Sequence, residues 1–157
     1  LDYLIVDMPP GTGDIQLTLS QQVPLTGAVV VTTPQDIALI DAKKGLRMFQ
    51  KVNVPILGII ENMSVFICPH CGEVEHIFGE GGAKRMSEQY GVPLLGELPL
   101  SAKIREQADS GLPTVAAEPD GKEALMYREM AMKVAGALAR ITKDYTAKMP
   151  GIRVVND

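Results

Sequence analysis

Two cysteines, Cys68 and Cys71, are the only thiols in this chain of 157 residues, and two residues separate them. Thiolates at this spacing can hold a metal ion or an iron–sulfur cluster, or they can react together as a redox dithiol. Tetrahedral zinc and a cubane cluster each need four ligands, so the pair supplies half of either site. Metal chemistry would therefore need a second source of ligands.

The residues around the pair leave four interpretations open. Redox exchange favours a first cysteine at a helix N-terminus, whereas Gly72 and the alternating stretch 73–78 predict a hairpin. The Cys-Pro-x-Cys-Gly turn is typical of zinc ribbons, but the sequence contains no second half of a ribbon, and His70 or His76 would give only an incomplete Cys/Cys/His site. A cluster shared by two chains and a structural pair without metal are the other two interpretations.

Two carboxylates lie in a Pro/Gly loop near the start of the chain. Asp7 ends the apolar run 3–6, and the loop that follows it reaches Asp14. P-loop NTPases place a carboxylate in this way, where it orients the hydration shell of Mg²⁺ beside the γ-phosphate. A helix cap or a solvated loop residue gives the same pattern, so the spacing alone leaves nucleotide binding and a structural role open.

Continuous runs rich in Val and Ile predict parallel strands that are covered on both faces. These runs are 3–6, 28–31, 56–60 and, more weakly, 93–98. Helices are predicted over 14–22, 36–52, 82–90, 101–109 and 121–142. The alternation predicts an α/β fold, a doubly wound and mostly parallel sheet with helices on both faces, in which ligands bind at the carboxyl ends of the strands.

In two of the predicted helices, apolar residues recur at helical spacing, so that each helix is expected to turn one apolar face inward. In the helix over 36–52 these residues are Ile37, Ile40, Leu46 and Phe49. In the helix over 121–142 they are Leu125, Met130, Val134, Leu138 and Ile141.

Composition excludes several classes of function. The chain is 46% hydrophobic and 22% charged, which is ordinary for a globular domain, and its net charge of −4 comes without a Lys/Arg cluster that would bind nucleic acid. The apolar runs are far shorter than the roughly 20 residues that cross a bilayer, and two close cysteines do not form a secreted disulfide framework. We therefore expect a cytoplasmic protein that binds neither nucleic acid nor membrane. The strand-like start without Met predicts part of a longer protein.

The run 2–14, Asp-Tyr-Leu-Ile-Val-Asp-Met-Pro-Pro-Gly-Thr-Gly-Asp, resembles the signature of the Mrp/ApbC-type iron–sulfur carrier ATPases, relatives of the MinD/ParA group of deviant P-loop NTPases. The resemblance extends to about Ile141. Further matching segments are 32–36, 61–64, 68–72 and 98–100. It implies that residues 1–142 are the C-terminal part of a single P-loop NTPase-like domain, with the cysteine loop at 63–78 and a weakly structured tail over 143–157.

The resemblance also implies roles for single residues in nucleotide binding. Asp7 resembles the Walker B aspartate and Gly11 the switch-loop glycine that faces the γ-phosphate. Asp14 either couples the nucleotide state to a dimer partner or is only a helix cap. Asn62 would hydrogen-bond the adenine, because an amide offers both a donor and an acceptor, and Pro99 and Leu100 belong to a second loop at the base.

The phosphate-binding loop of this family, which ends in Gly-Lys-Ser/Thr, does not occur in the chain. The segment 79–87 contains three glycines and Lys84, but this lysine neither follows a glycine nor precedes a hydroxyl residue. We interpret the segment as the structural start of a helix. The chain by itself is therefore expected not to hydrolyse ATP, and the missing loop is expected upstream in the complete protein, which would be the ATPase.

For the cysteine pair, the resemblance implies a labile 4Fe-4S cluster held between Cys68 and Cys71 of two subunits. The implied function is an iron–sulfur cluster carrier, a homodimer that receives clusters from an assembly scaffold and transfers them to apoproteins under the control of ATP and Mg²⁺. His70 would contribute only hydrogen bonds around the cluster. A zinc-bridged structural or regulatory dimer and a MinD/ParA-like positioning ATPase are the alternatives.

Overall fold

The structure is a computed structural model that describes residues 2–9 and 13–141. Gly11 and the predicted tail over 143–157 lie outside the described residues. The strands are β1 (Ala28–Thr32), β2 (Ile56–Glu61), β3 (Phe66–Ile67), β4 (Val74–Glu75) and β5 (Leu94–Glu97). The helices are α1 (Asp14–Gln22), α2 (Asp36–Lys51), α3 (Gly82–Tyr90), α4 (Ala102–Asp109), α5 (Thr114–Ala117) and α6 (Lys122–Ala139).

The main sheet has the order β1-β2-β5, and both of its strand pairs are parallel. Helices connect these strands, because a parallel pair needs a crossover between its members. The predicted strands over 28–31, 56–60 and 93–98 and the alternation of strands with helices are therefore confirmed. The carboxyl ends of all three strands lie at the same edge of the sheet.

One face of the sheet packs against α2 and α3. Val30 and Ile59 are opposite each other in the β1–β2 register, and both are buried. They share a core cluster with Leu46 of α2 and with Ala83 and Met86 of α3. Burial of side chains of this size stabilises a fold by about 1.5 to 3 kcal/mol each.

The other face of the sheet packs against α6. Gly96 of β5 is paired with Ile60, the neighbour of Ile59, so it points away from the cluster with Ile59. A Cβ at Gly96 would lie 2.5 Å from Cγ of Met130 in α6, so the helix approaches the strand closely there. Helices therefore cover both faces, as predicted.

The β2–β5 pairing contains an irregularity that involves a lysine. Ile59 pairs with Leu94 and Ile60 pairs with Gly96, so Leu95 has no partner in the register. Its carbonyl oxygen accepts a hydrogen bond of 2.9 Å from Nζ of Lys133 in α6. The lysine thus satisfies a backbone group that a regular ladder would have paired.

The prediction of a strand over 3–6 is wrong. These four residues join no strand, and their side chains are 48% to 89% exposed. An extended segment is stable only when a neighbouring strand binds its backbone groups and a layer covers its side chains. The described residues provide neither for this run.

The predicted apolar faces of two helices are partly wrong. The prediction is right for Leu46, which is buried, but Ile37 and Ile40 are 69% and 49% exposed because Leu39 lies on the buried side in their place. Ile37 and Ile40 lie about 200° and 100° from Leu39 around the helix. In α6 the buried residues are Ala124 and Met130, and Leu125 is 53% exposed.

Candidate functional site

The strand ends bring two of the predicted base-contacting segments together. Asn62 follows β2, and its backbone N–H donates to the carbonyl of Thr32 at 2.7 Å. Leu98 follows β5, and its N–H donates to the carbonyl of Glu61 at 2.8 Å. Asn62 and the 98–100 loop are therefore neighbours at the carboxyl edge of the sheet, the edge where ligands bind in folds of this class.

The chemistry of this edge suits the recognition of a planar base. Oδ1 of Asn62 accepts a hydrogen bond of 2.9 Å from the N–H of Met63, which orients the side-chain amide. The oxygen retains a second lone pair and the amide nitrogen has two N–H groups, so the amide can pair with a purine edge. Pro99 and Leu100 are half-buried and offer apolar surface beside it.

A bulge separates the end of β2 from the cysteine loop. The donors Leu98 and Leu100 are two residues apart, whereas their acceptors Glu61 and Val65 are four residues apart. The segment that contains Asn62 therefore carries two more residues than the segment with which it pairs. Met63, inside the bulge, has a positive φ of 56°, a strained conformation for a residue with a side chain. Bulges of this kind redirect side chains next to functional sites.

The cysteines lie at the tip of a short antiparallel hairpin, as predicted. Phe66 pairs with Glu75 and Ile67 with Val74, and the turn between the two strands contains both thiols. The N–H of Cys68 donates to the carbonyl of Glu73 at 2.9 Å, which closes the turn.

A hydrogen bond across the cysteine pair and a left-handed glycine define the turn. The N–H of Gly72 donates to the carbonyl of Cys68 at 2.9 Å, and Gly72 has a φ of 76°. A residue without Cβ adopts this left-handed conformation at low cost, which explains the glycine after the second cysteine.

The turn favours the thiolate form of the first cysteine. Backbone N–H groups of Cys71 and His70 bind the Cys68 sulfur and lower the pKa of its thiol below the ordinary value, and the side chain of Cys71 adds to the effect. Burial and the charge of Glu75 oppose this shift. Metal ions and clusters bind thiolates and not thiols, so the lowered pKa suits a ligand role. Cys68 is half-buried, Cys71 is exposed, and both are free thiols.

Within residues 2–9 and 13–141, no group of three or more His, Cys, Asp and Glu residues can hold a metal ion. His76 lies near the turn, but its Nδ1 is 3.2 Å from the carbonyl oxygen of Ser64, and its Nε2 is 4.0 Å from Glu80. His70 is exposed. The incomplete Cys/Cys/His site considered above is therefore not formed by the described residues.

Sequence reasoning missed a buried carboxylate at the base of the cysteine loop. Glu61 is 1% exposed, and its Oε2 accepts a hydrogen bond of 2.6 Å from the N–H of Ala83 in the first turn of α3. The bond joins the two ends of the loop, because Glu61 precedes it and Ala83 follows it. A carboxylate at a helix N-terminus is favourable for the charge and for the orphan N–H group. The only signal in the sequence is a Glu that directly follows the apolar run 56–60.

The segment 79–87 contains the start of α3, as predicted, and Gly82, the first residue of that helix, has a packing role. A Cβ at Gly82 would lie 2.7 Å from Cδ1 of Leu39 and 3.0 Å from the carbonyl oxygen of Pro34. The absence of a side chain lets α3 approach the end of β1 closely. This contact explains the glycine without a bound phosphate.

The N-terminal carboxylates are not placed by the sheet. Asp7 is exposed in a segment without regular structure, and the hydrogen bond of 2.9 Å from Nε2 of Gln16 to the carbonyl of Pro9 ties this segment to α1. Asp14 is the first residue of α1, but the N-cap is Gly13, so the predicted capping role of Asp14 is wrong. Its charge still complements the helix dipole. No ladder connects Asp7 or Asp14 to the described strand ends.

None of the helices in the described part of the chain has the length and apolarity needed to cross a bilayer.

Comparisons with known proteins agree with the fold and the motifs. An iron–sulfur cluster carrier protein of Pseudomonas fragi is 61% identical over 132 residues, which are 84% of this chain and 46% of that protein. The chain thus spans less than half the length of this relative. A nucleotide-binding protein of Archaeoglobus fulgidus, solved in complex with ADP, superposes with a TM-score of 0.67 at 36% identity and covers 81% of this chain and 51% of its own.

The cell division ATPase MinD of Pyrococcus furiosus superposes with a TM-score of 0.56 at 26% identity, covering 71% of this chain and 43% of its own. The α/β fold is therefore that of P-loop NTPases. The model of the ParA family described as "NUBPL iron-transfer P-loop NTPase" matches residues 1–135, and the chain belongs to this family.

Proposed function

We propose that the protein is an iron–sulfur cluster carrier in which two copies of the chain hold one 4Fe-4S cluster as cargo. The observation that carries this proposal is the exposed turn with two thiols, one of them activated by backbone N–H groups, for which the described residues offer no further ligand. Two thiolates from each of two chains give the four ligands of a cubane. The name of the Pseudomonas fragi relative supports the cargo.

The surface around the cysteines suits contact with a second copy. Ile67 and Val74 flank the turn and are 53% and 56% exposed. A two-fold axis near the turn would bury these side chains against each other and bring the two thiol pairs together, since a two-fold interface repeats the same patch on both subunits.

Nucleotide binding at the neighbouring strand ends would control the cargo. Asn62 would pair with the adenine through its oriented amide, and Pro99 and Leu100 would contact the base. Asp7 would orient the water shell of Mg²⁺, Gly11 would face the γ-phosphate, and Asp14 would report the nucleotide state to the partner. The ADP in the Archaeoglobus fulgidus structure supports a nucleotide site in this fold. The phosphate-binding loop would come from sequence upstream of this chain.

The nucleotide would act as a switch. ATP can drive release of a cluster only if it binds one dimer geometry more tightly than the other, and the free energy available is that difference in affinity. The acceptors would be cytoplasmic apo iron–sulfur proteins, the source an assembly scaffold, and no membrane or nucleic acid would take part.

Anaerobic reconstitution of the full-length protein with iron and sulfide tests the cargo. We expect about four iron atoms per dimer, with the visible absorbance of a cluster, in the wild type. Cys71→Ser should lose both, and His70→Ala, in the same turn, should keep both. Loss in the His70 variant would contradict a site made of thiolates alone.

The zinc-bridged dimer remains the second candidate because a Cys-Pro-x-Cys-Gly knuckle is equally typical of structural zinc sites. Elemental analysis of the same samples distinguishes the two functions. One zinc per dimer without iron uptake would overturn the carrier proposal and favour a structural dimer.

A further inference from the structure

The pairing between the β2 side and the β5 side continues beyond the ends of both strands. Both the N–H and the Oγ of Ser64 donate to the carbonyl of Leu98, at 2.9 and 3.1 Å. The N–H of Leu100 then donates to the carbonyl of Val65 at 2.8 Å, and Phe66 forms a parallel bridge with Leu100. The 98–100 loop, a proposed base contact, is therefore bonded directly to the segment that enters the cysteine hairpin.

Ser64 is the residue at which these connections meet. Its side chain is buried, with 8% of the residue exposed, and its two donors occupy the Leu98 carbonyl. Its own carbonyl lies 3.2 Å from Nδ1 of His76, which follows the return strand of the hairpin. One buried residue thus contacts the 98–100 loop through its donors and the far strand of the hairpin through its acceptor.

The bulge next to Ser64 gives this connection a way to change. Met63 holds a positive φ of 56° between Asn62, the proposed adenine contact, and Ser64. A residue with a side chain keeps such a conformation only where its neighbours enforce it, and such residues are frequent in segments that switch. Ser64 therefore provides a route by which movement of Asn62 or of the 98–100 loop would reach the hairpin.

We propose that Ser64 is a positioning residue that couples occupation of the adenine site to the geometry of Cys68 and Cys71. The proposal rests on the carrier function above and names its route of control. Coupling between two sites is reciprocal, so a cluster must change the affinity for nucleotide by the same factor by which nucleotide changes the affinity for the cluster.

The test measures this factor in the full-length protein. The dissociation constant of mant-ADP is determined for the apo protein and for the protein loaded with iron and sulfide. We expect the two constants to differ by about fivefold or more in the wild type, the lower end of typical allosteric coupling. Ser64→Ala should bring the ratio close to one while the iron content per dimer is unchanged.

Two further variants separate coupling from a general structural role. Ser87→Ala removes a similar hydroxyl, whose Oγ donates to the carbonyl of Val92 at 2.5 Å beyond the end of α3, and should keep the wild-type ratio. Ser64→Thr retains the hydroxyl and should keep the wild-type ratio of the two dissociation constants, in contrast to Ser64→Ala.

Each other result contradicts the proposal in a distinguishable way. A wild-type ratio in Ser64→Ala overturns the role of Ser64. A ratio of one in a wild type that binds both iron and mant-ADP overturns the coupling but leaves the carrier function intact, and a wild type that takes up no iron overturns the carrier function and the coupling with it. If Ser64→Ala does not fold, Met63→Gly replaces it, because a glycine loosens the bulge; an unchanged ratio there overturns the proposal.

Discussion

The segment from Asn62 through the cysteine loop and the acidic loop over 7–14 both carry residues of the proposed site, but among the described residues the sheet positions only the first. Asn62 bonds this segment to β1, Ser64 bonds it to the 98–100 loop, and Glu61, which directly precedes it, bonds to α3. The acidic loop follows the run 3–6, which has the same apolar character as the core strands but is exposed. A residue is placed by the ladder that its segment joins, and apolar composition alone does not create a ladder.

The largest expected effect is a difference in amide hydrogen exchange between these regions. Amides of the run 3–6 should exchange about a thousandfold faster than those of β2, or more. Amides of the run have no hydrogen bonds within a ladder to break, whereas those of β2 exchange only when the sheet unfolds. Exchange of the 157-residue chain read out by mass spectrometry measures this ratio.

Equal protection of both segments would show that the run 3–6 pairs with a strand and would remove the contrast. The same measurement on the full-length protein tests whether the exposure of this run depends on a missing partner strand. We expect protection of this run to rise there, since upstream sequence can supply a partner strand.

This contrast also explains what could be predicted from the sequence. The strands near 28–31 and 56–60 pair with each other within the chain, so their apolar runs were sufficient evidence. The hairpin was predicted from Gly72 and the alternation after it, both local signals. Glu61 and Ser64 could not be predicted, because their partners, Ala83 and Leu98, are distant in sequence and are defined only by the packed fold.

The second prediction weakens the cysteine loop at its base. Glu61→Ala should lower the free energy of unfolding by about 2 to 3 kcal/mol, because it leaves the buried N–H of Ala83 without its charged acceptor. Urea unfolding of the full-length protein measures the change. Glu61→Gln keeps an acceptor and should cost less, and Glu88→Ala, at an exposed position on α3, should change stability by less than about 0.5 kcal/mol. Equal effects at positions 61 and 88 would contradict the bond.

The third prediction concerns the contact between α3 and the end of β1. Gly82→Ala should destabilise by about 1 to 2 kcal/mol, because the new Cβ meets backbone atoms of Pro34 that cannot move aside. Gly45→Ala is the matched control, since a Cβ at Gly45 inside α2 would meet no atom within 4 Å apart from its chain neighbours and the nearby helix backbone. That variant should instead stabilise by about 0.5 to 1 kcal/mol. Thermal unfolding of both variants checks the signs, and the same sign in both would contradict the packing role.

The smallest expected effect concerns the protonation of Cys68. Backbone N–H groups of Cys71 and His70 favour the thiolate of Cys68. The variant Cys71→Ser keeps both N–H groups and leaves Cys68 as the only thiol. In this variant, alkylation of Cys68 by iodoacetamide should reach half of its maximal rate at a lower pH in the folded protein than in urea. Adding His70→Ala also retains the N–H groups and should leave the folded midpoint unchanged. Identical midpoints in folded and unfolded protein would contradict this effect of the turn.

Lys133 has a consequence for protein engineering. Its side chain is 46% exposed and forms an ion pair with Glu129, so surface redesign for solubility or for chemical labelling of amines would treat it as freely replaceable. Its hydrogen bond to the Leu95 carbonyl, however, joins α6 to strand β5. Acylation of this amine would replace the charged ammonium donor of that hydrogen bond with a neutral amide. Redesigned variants should therefore keep Lys133, and amine labelling should be directed to other lysines.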